Sequence, residues 1–236
     1  MHGYFIAGTD TGVGKTRVTA GLAAGFRHGG WTVVASKPIS TGAVEDKMGT
    51  ISPDLELIAS FSGQNRLDRR AFPYLFLPPV SPHIAADHAG ISIDIGHIIR
   101  ETRELGESSQ ITLVEGTGGW LAPISGAATM ADIDVALRLP VILVVGLRLG
   151  CLSHALLTAQ AITRSGLALA GWVGNVLDPE MLELQANIES LSARLGAGPL
   201  AVLPHETEIS SSLAPLRIAA QRLMECHSAP PPVKPK

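Results

Sequence analysis

The sequence predicts a single α/β domain built on a mostly parallel sheet with helices on both faces. Short apolar, β-branched runs recur along the chain, and such runs suit strands buried on both sides. Longer helix-patterned stretches separate them, and repeated strand, helix, strand order argues for parallel pairing. The chain has 236 residues, 46% hydrophobic and 17% charged. That is enough for one sizeable core and too short for two comfortable domains of this type.

In chain order, the strand candidates are "YFIA" (4 to 7), "TVVAS" (32 to 36), "ITLVE" (111 to 115), "VILVVG" (141 to 146), "LAGWVGN" (169 to 175) and "LAVL" (200 to 203). The first helix follows the first strand, with Val18, Leu22 and Phe26 recurring every fourth position and "HGG" at 28 to 30 as its glycine stop. Further helices are expected at 54 to 61, 94 to 105, 131 to 138, 152 to 165, 180 to 195 and 212 to 225. The domain is expected to span residues 1–226, with 227–236 a disordered, proline-rich tail. In a sheet of this kind, ligands sit outside the carboxyl ends of the strands.

Composition excludes several classes of function. The net charge is -3, and no Lys/Arg cluster exceeds "DRR" at 68 to 70, so no nucleic-acid partner is expected. The longest apolar run, "LPVILVVGL", falls well short of the about 20 residues a membrane span requires, so no membrane partner is expected. Cys151 and Cys226 lie far apart without metal-ligand spacing, which suggests neither a disulfide framework nor a zinc site. No basic segment followed by an apolar signal core opens the chain. The expected setting is cytoplasmic and the expected partner a small molecule.

The stretch "GTDTGVGKT" (8 to 16) joins the first strand to the first helix. Such a loop exposes unpaired helix N–H groups, and its glycines let the backbone curl around phosphate oxygens. Gly12 and Gly14 suit that curl, Lys15 would reach the β and γ phosphates, and the Thr16 hydroxyl would ligate Mg²⁺. The usual pattern, G-x-x-x-x-G-K-[ST], needs glycine at position 9, which is Thr9. A bare "GKT" also occurs in ordinary glycine-rich turns; the buried strand before it and the apolar helix after it favour a variant phosphate cradle.

Other strand ends supply the rest of a site. "SKPISTG" places Lys37 beside the same crevice, where a second ammonium can stabilise charge during phosphoryl transfer, although a lysine there could equally be a solvated charge. Ser40 and Thr41 offer hydroxyls. "VEGTGGW" ends an apolar run on Glu115, a carboxylate that would be costly if buried unpaired and that Mg²⁺ would compensate. Asp54 can serve either as a helix-capping acid or as a ligand. A lone histidine such as His83 is more often packed or solvated than a ligand, Trp120 and Trp172 read as packing, and Ser153 beside His154 lacks a G-x-S-x-G turn.

"GTDTGVGKT", "KPISTG", "SPH" at 81 to 83, "VEGTGGW", "LPVILVVGLRLGCLSHALLTAQAI" and "GWVGN" occur in the order and at the distances of dethiobiotin synthases, so the chain resembles that family from residue 3 to about 206. The family's loop carries five residues between its first glycine and Gly14, which accounts for Thr9. The resemblance implies a P-loop NTPase-like fold and a homodimeric, Mg²⁺-dependent enzyme with its site at the subunit interface. Its substrates would be ATP, CO₂ and 7,8-diaminononanoate, and its products dethiobiotin, ADP and phosphate.

By the same resemblance, Gly12, Val13, Gly14, Lys15, Thr16 and Arg17 would hold the nucleotide phosphates. Thr16, Asp54 and Glu115 would hold magnesium, and Lys37 would be catalytic alongside Lys15. Thr41, where relatives commonly have serine, and Gly118 would meet the substrate. Glu115, Gly116, Thr117 and Gly118 would line the phosphate region. Asn175 and Val176, with Pro204, His205 and Glu206, would hold the adenine, the asparagine because its amide both donates and accepts. The helix at 180 to 195 and the loop near Cys151 to His154 would approach the partner's substrate.

This sequence departs from the pattern at Gly12, where some relatives have glutamate, at Thr117, where alanine is frequent, and at Asn187, near which some relatives have tyrosine. Two rival readings use the same loop: a partitioning-type nucleotide switch, and an amidotransferase-like ligase. The first usually starts its loop with lysine and glycines where this chain has "TDT", and the second adds a glutaminase domain for which a chain of this length has no room.

Overall fold

The computed structural model describes residues 1–46, 49–64, 68–205 and 209–228. The elements in chain order are β1 (Gly3–Gly8), α1 (Lys15–His28), β2 (Val33–Ser36), β3 (Ile39–Thr41), β4 (Val44–Asp46), β5 (Gly49–Ile51), α2 (Pro53–Ser62) and β6 (Tyr74–Phe76). They continue with α3 (Pro82–Ala89), α4 (Ile95–Glu107), β7 (Ile111–Glu115), α5 (Met130–Leu137), β8 (Val141–Leu147) and α6 (Cys151–Arg164). The chain then forms β9 (Leu169–Val176), α7 (Leu184–Leu195), β10 (Ala201–Leu203) and α8 (Ser210–Ser228).

The six strands expected from the sequence form one sheet in the order β10-β9-β8-β1-β7-β2, and every pairing in it is parallel. β1 sits between β7 and β8, so the chain leaves it toward β2 on one side and later crosses to β8 on the other. Its carboxyl end therefore opens at the point where strand order reverses, the usual ligand crevice of such sheets.

The period-2 alternation of the strands divides the core into two layers. Tyr4 and Ile6, with Ile142 and Val144, face a cluster built with Val18, Leu22, Phe26, Ile58 and Leu216. Phe5 and Ala7, with Leu143 and Val145, face the other layer, which contains Ile98, Ile133, Ala155, Ile162 and Leu191. Burying each such aliphatic side chain contributes roughly 2 kcal/mol. Helices α1, α2 and α8 thus cover one face.

α1 and α8 pack at unusually close range. A Cβ on Gly21 would lie 2.2 Å from Leu216 Cδ1, and one on Gly25 would lie 3.0 Å from the Arg217 Cα. Gly25 stands on the same stripe as Gly21, one helical turn further on, so the absence of side chains there sets the distance between the helices.

Some boundaries differ from expectation. The helix expected from 180 begins at Leu184, because Glu183 takes a left-handed conformation (φ 55°) and the turns before it do not propagate. "SPH" at 81 to 83 opens the helix α3, with Pro82 at its first turn. β3 pairs in parallel with β6, and β4 with β5 as an antiparallel hairpin, outside the main sheet. α8 extends to Ser228, and residues 229–236 of the expected tail lie outside the described residues.

Candidate active site

The loop after β1 curls because two of its glycines adopt left-handed conformations, Gly12 at φ 72° and Gly14 at φ 93°. Gly14 is doubly constrained, since a Cβ there would lie 2.4 Å from Asn175 Nδ2. Asn175, at the end of β9, donates from Nδ2 to the Val13 carbonyl at 3.0 Å. The loop is thereby pinned to the strand beside it, with the N-terminus of α1 at its base.

Lys15 is the first residue of α1 and is buried, and its Nζ donates to the Asp10 carbonyl at 2.9 Å. Burial pulls its pKa down to about 8, against the opposing pull of Glu115. Asp10 also accepts from the Thr11 N–H at 2.7 Å and pairs with Arg148, just beyond β8, at 3.1 Å. The loop's first half is therefore tied to the carboxyl end of a second strand.

Lys37 follows β2 and Glu115 ends β7, two adjacent strands, so both side chains reach one point. Lys37 Nζ lies 2.9 Å from Glu115 Oε1 and also pairs with Asp54, in the first turn of α2. Glu115 Oε1 accepts from the Thr16 hydroxyl at 2.8 Å. Burial draws the Lys37 pKa down, but Glu115 and Asp54 together outweigh it and hold the ammonium above its ordinary value. Asp54 is in the first turn, and the N-cap of α2 is Ser52.

This group can accept a hard divalent cation. Glu115 has no exposed surface, and its Oε2 has no hydrogen-bond partner among the described residues. Two carboxylates and a hydroxyl are oxygen donors of the kind magnesium takes, with phosphate oxygens and water completing its shell. Among the described residues no group of three or more His, Cys, Asp or Glu could hold a metal unaided. The donor set therefore suits an ion shared with a phosphorylated ligand.

The remaining expected residues surround this centre. Gly118 lies near Thr11 of the loop, and the Thr117 hydroxyl donates to the Ile39 carbonyl, joining the β7–α5 connection to β3. Gly116 packs under Phe5. Thr41 ends β3 half-buried; Ser40 is fully buried with its Oγ 3.1 Å from Ser52 Oγ, so that hydroxyl is not presented to a ligand. His205 Nδ1 stands 3.3 Å from the Val176 carbonyl. Glu206 lies outside the described residues. Asn187 is half-buried on α7 and donates to the Glu183 carbonyl at 2.9 Å. His83 is engaged locally, with Nδ1 3.0 Å from Ser81 Oγ.

Sequence reasoning did not single out Asp10 or Arg148, and their pairing has no local signature because it joins loops from two different strands. The side chain of Arg17 was also unforeseen. It turns from the phosphate cradle toward β9 and α8, donating to Asn175 Oδ1 at 3.4 Å, the Pro204 carbonyl at 3.1 Å and Ser211 Oγ at 2.7 Å.

A glycine-bent loop between strand and helix, a buried lysine at its end, and carboxylates from a neighbouring strand end and the first turn of α2 define a P-loop nucleoside triphosphatase fold. The MinD cell division protein of Aquifex aeolicus shares it, with a TM-score of 0.56 at 18% identity, covering 98% of this chain and 99% of that one. MinD of Pyrococcus horikoshii, solved with Mg-ADP, gives 0.54 at 16% identity, covering 95% and 97%. At such identities the likeness shows the fold alone. A family profile described as AAA domain matches residues 2–212.

The chain belongs to the ATP-dependent dethiobiotin synthetase family. The synthetase of Nitrosospira multiformis is 46% identical over 204 residues, 86% of this chain and 88% of the relative. That of Aromatoleum aromaticum is 42% identical over 206 residues, covering 86% and 90%. A Pseudomonas aeruginosa synthetase is 40% identical over 209 residues, covering 88% and 92%.

Proposed function

We propose that this protein is an ATP-dependent dethiobiotin synthetase, closing the ureido ring on 7,8-diaminononanoate with CO₂ in biotin biosynthesis. The observation that carries the reading is the convergence of Lys15, Thr16, Lys37, Asp54 and Glu115 at the carboxyl ends of three adjacent strands, in a chain that belongs to this family.

One amine of the substrate adds to CO₂ and loses a proton, giving a carbamate. A carbamate oxygen attacks the γ-phosphorus of ATP in line, and ADP leaves, producing a carbamic-phosphoric anhydride. The second amine then attacks the carbonyl carbon, expels phosphate and loses its proton to close the ring. No side chain forms a covalent bond. Lys15 and the loop N–H groups hold the triphosphate, and Lys37 offsets the charge that grows on the transferred group. Magnesium held by Thr16, Asp54 and Glu115 would neutralise phosphate charge when bound.

Thr41 and Gly118 border the place for the diamine, and Gly116 and Thr117 line the phosphate side. Asn175, Val176, Pro204, His205 and Glu206 form the adenine side of the same proposal. A homodimer that completes the substrate site belongs to the same proposal, supported by the exposure of Leu149, Leu157 and Leu182 around α6 and before α7. Among the described residues no helix is long and apolar enough to cross a membrane, and we keep the cytoplasmic setting as part of this reading.

The test is ATP hydrolysis with and without diaminononanoate and bicarbonate, followed by mass spectrometry of the product. Stimulation by both together, with dethiobiotin formed, is the expected result. Stimulation only by a partner protein or by glutamine would replace this reading with a nucleotide switch or an amidotransferase.

A further inference from the structure

The position of Arg17 in the sequence, directly after the Gly-Lys-Thr of the loop, invites the reading that its guanidinium binds phosphate. Helix geometry opposes that. Lys15 and Arg17 are two positions apart on α1, so their side chains leave the axis about 200° apart. Lys15 faces the loop, where it meets Asp10. Arg17 shares its stripe with Gly21 and Gly25, the stripe pressed against α8.

There the guanidinium spans three segments. It reaches Asn175 at the end of β9, the Pro204 carbonyl just after β10, and Ser211 in the first turn of α8. Arginine only donates, so the Asn175 atom facing it must be the carbonyl oxygen; the Val13 carbonyl only accepts, so the atom facing that must be the amide nitrogen. The two neighbours agree on one orientation of the amide. Asn175 is thereby fixed with one N–H and one lone pair left over, the pair of functions an adenine edge requires.

We infer that Arg17 is a positioning residue that locks the base side of the nucleotide site, through Asn175, Pro204 and Ser211, to the helix that carries the phosphate loop. This rests on the nucleotide site described above and adds to it a residue that acts on base binding without touching the phosphates. Planar fork geometry, and not charge alone, is what permits three simultaneous bonds to differently placed acceptors.

The experiment compares two ligands by calorimetry on the intact protein: ADP, which uses both sides of the site, and inorganic tripolyphosphate, which uses only the cradle. Arg17→Met and Arg17→Lys should each weaken ADP by about tenfold, the worth of one or two lost charge-assisted hydrogen bonds, and leave tripolyphosphate within about twofold. Ser211→Ala, which removes one acceptor, should weaken ADP by about threefold with the same selectivity, and it carries the test alone if the Arg17 variants do not fold. Equal losses for both ligands would make Arg17 a phosphate ligand and overturn the inference, as would no loss at all. A wild-type protein that binds neither ligand would remove the nucleotide-site reading itself.

Discussion

Lys37 Nζ stands 2.9 Å from Oε1 of Glu115, a carboxylate with no exposed surface, and the same ammonium pairs with Asp54. One cation thus compensates a buried anion at the end of β7 while standing next to the position expected for the γ-phosphate. Removing it has two separable consequences. Lys37→Gln should lower turnover by about a hundredfold or more while leaving ATP binding measurable, because the lost donor acts where charge develops. It should also lower stability by about 3 kcal/mol in urea unfolding, since Glu115 would remain buried and uncompensated. Unchanged turnover would remove Lys37 from the chemistry.

Lys15 makes nucleotide affinity depend on pH in a defined direction. Its pKa in the folded protein is about 8, below the 10.5 of a free lysine, because burial disfavours the charged form. Bound phosphates favour the ammonium and raise that value. ADP affinity should therefore fall as pH rises above about 8, approaching tenfold per pH unit. Over the window from 8 to 10.5 the unfolded chain holds a proton that the ligand-free protein has released, so stability without ligand gains a contribution as pH rises. Titration of ADP binding between pH 7 and 10 checks this, and Lys15→Met should flatten the curve.

Asp134 is a buried acid with no role in the site. Its Oδ1 accepts from the Leu139 N–H at 3.1 Å, and its Oδ2 has no partner among the described residues. Burial raises its pKa from 3.8 to about 7, the backbone hydrogen bond opposing. The native protein keeps a proton that the unfolded chain loses between those values, so this group's contribution falls by about 1.4 kcal/mol per unit as pH rises through the window. Asp134→Asn should flatten the dependence and be the more stable protein at pH 8. Urea midpoints of both proteins at pH 5 and pH 8 decide it.

Gly25→Ala sets two effects against each other. Alanine favours an exposed helix interior by about 1 kcal/mol over glycine. Here the new Cβ would lie 2.9 Å from the Ala220 Cβ and 3.1 Å from the Leu216 carbonyl oxygen, so a helix backbone must give way. Overpacking of that kind costs about 1–3 kcal/mol, and the packing term should win. A melting temperature lower by a few degrees is expected, at about 2–4 °C per kcal/mol; a rise would mean that α8 yields easily.

The parts of this fold legible in the sequence are those with enough apolar residues to set a period. All six sheet strands are short β-branched runs, and Val18, Leu22 and Phe26 gave α1 its buried face. β3 and β6 are three residues long, too short for alternation to register, and they pair with each other across an intervening helix. α3 carried a start signal in Ser81-Pro82, but its eight residues hide a helical period behind two histidines and an aspartate. In the site, Lys15, Lys37 and Glu115 were legible because each ends or follows a recognisable strand. The Asp10 and Arg148 pair and the reach of Arg17 were not, because each depends on which loops the sheet brings together.

The glycine stripe on α1 has a consequence for the life of the chain before it is complete. Its cover, α8, is synthesised last of the described elements, so the contact surface of the first helix waits until every segment between them has been made. At ordinary ribosomal speeds that delay is roughly ten to forty seconds. During it the nascent protein must keep a bare hydrophobic seam from neighbouring polypeptides, and slow codons upstream of α8 would lengthen the hazard.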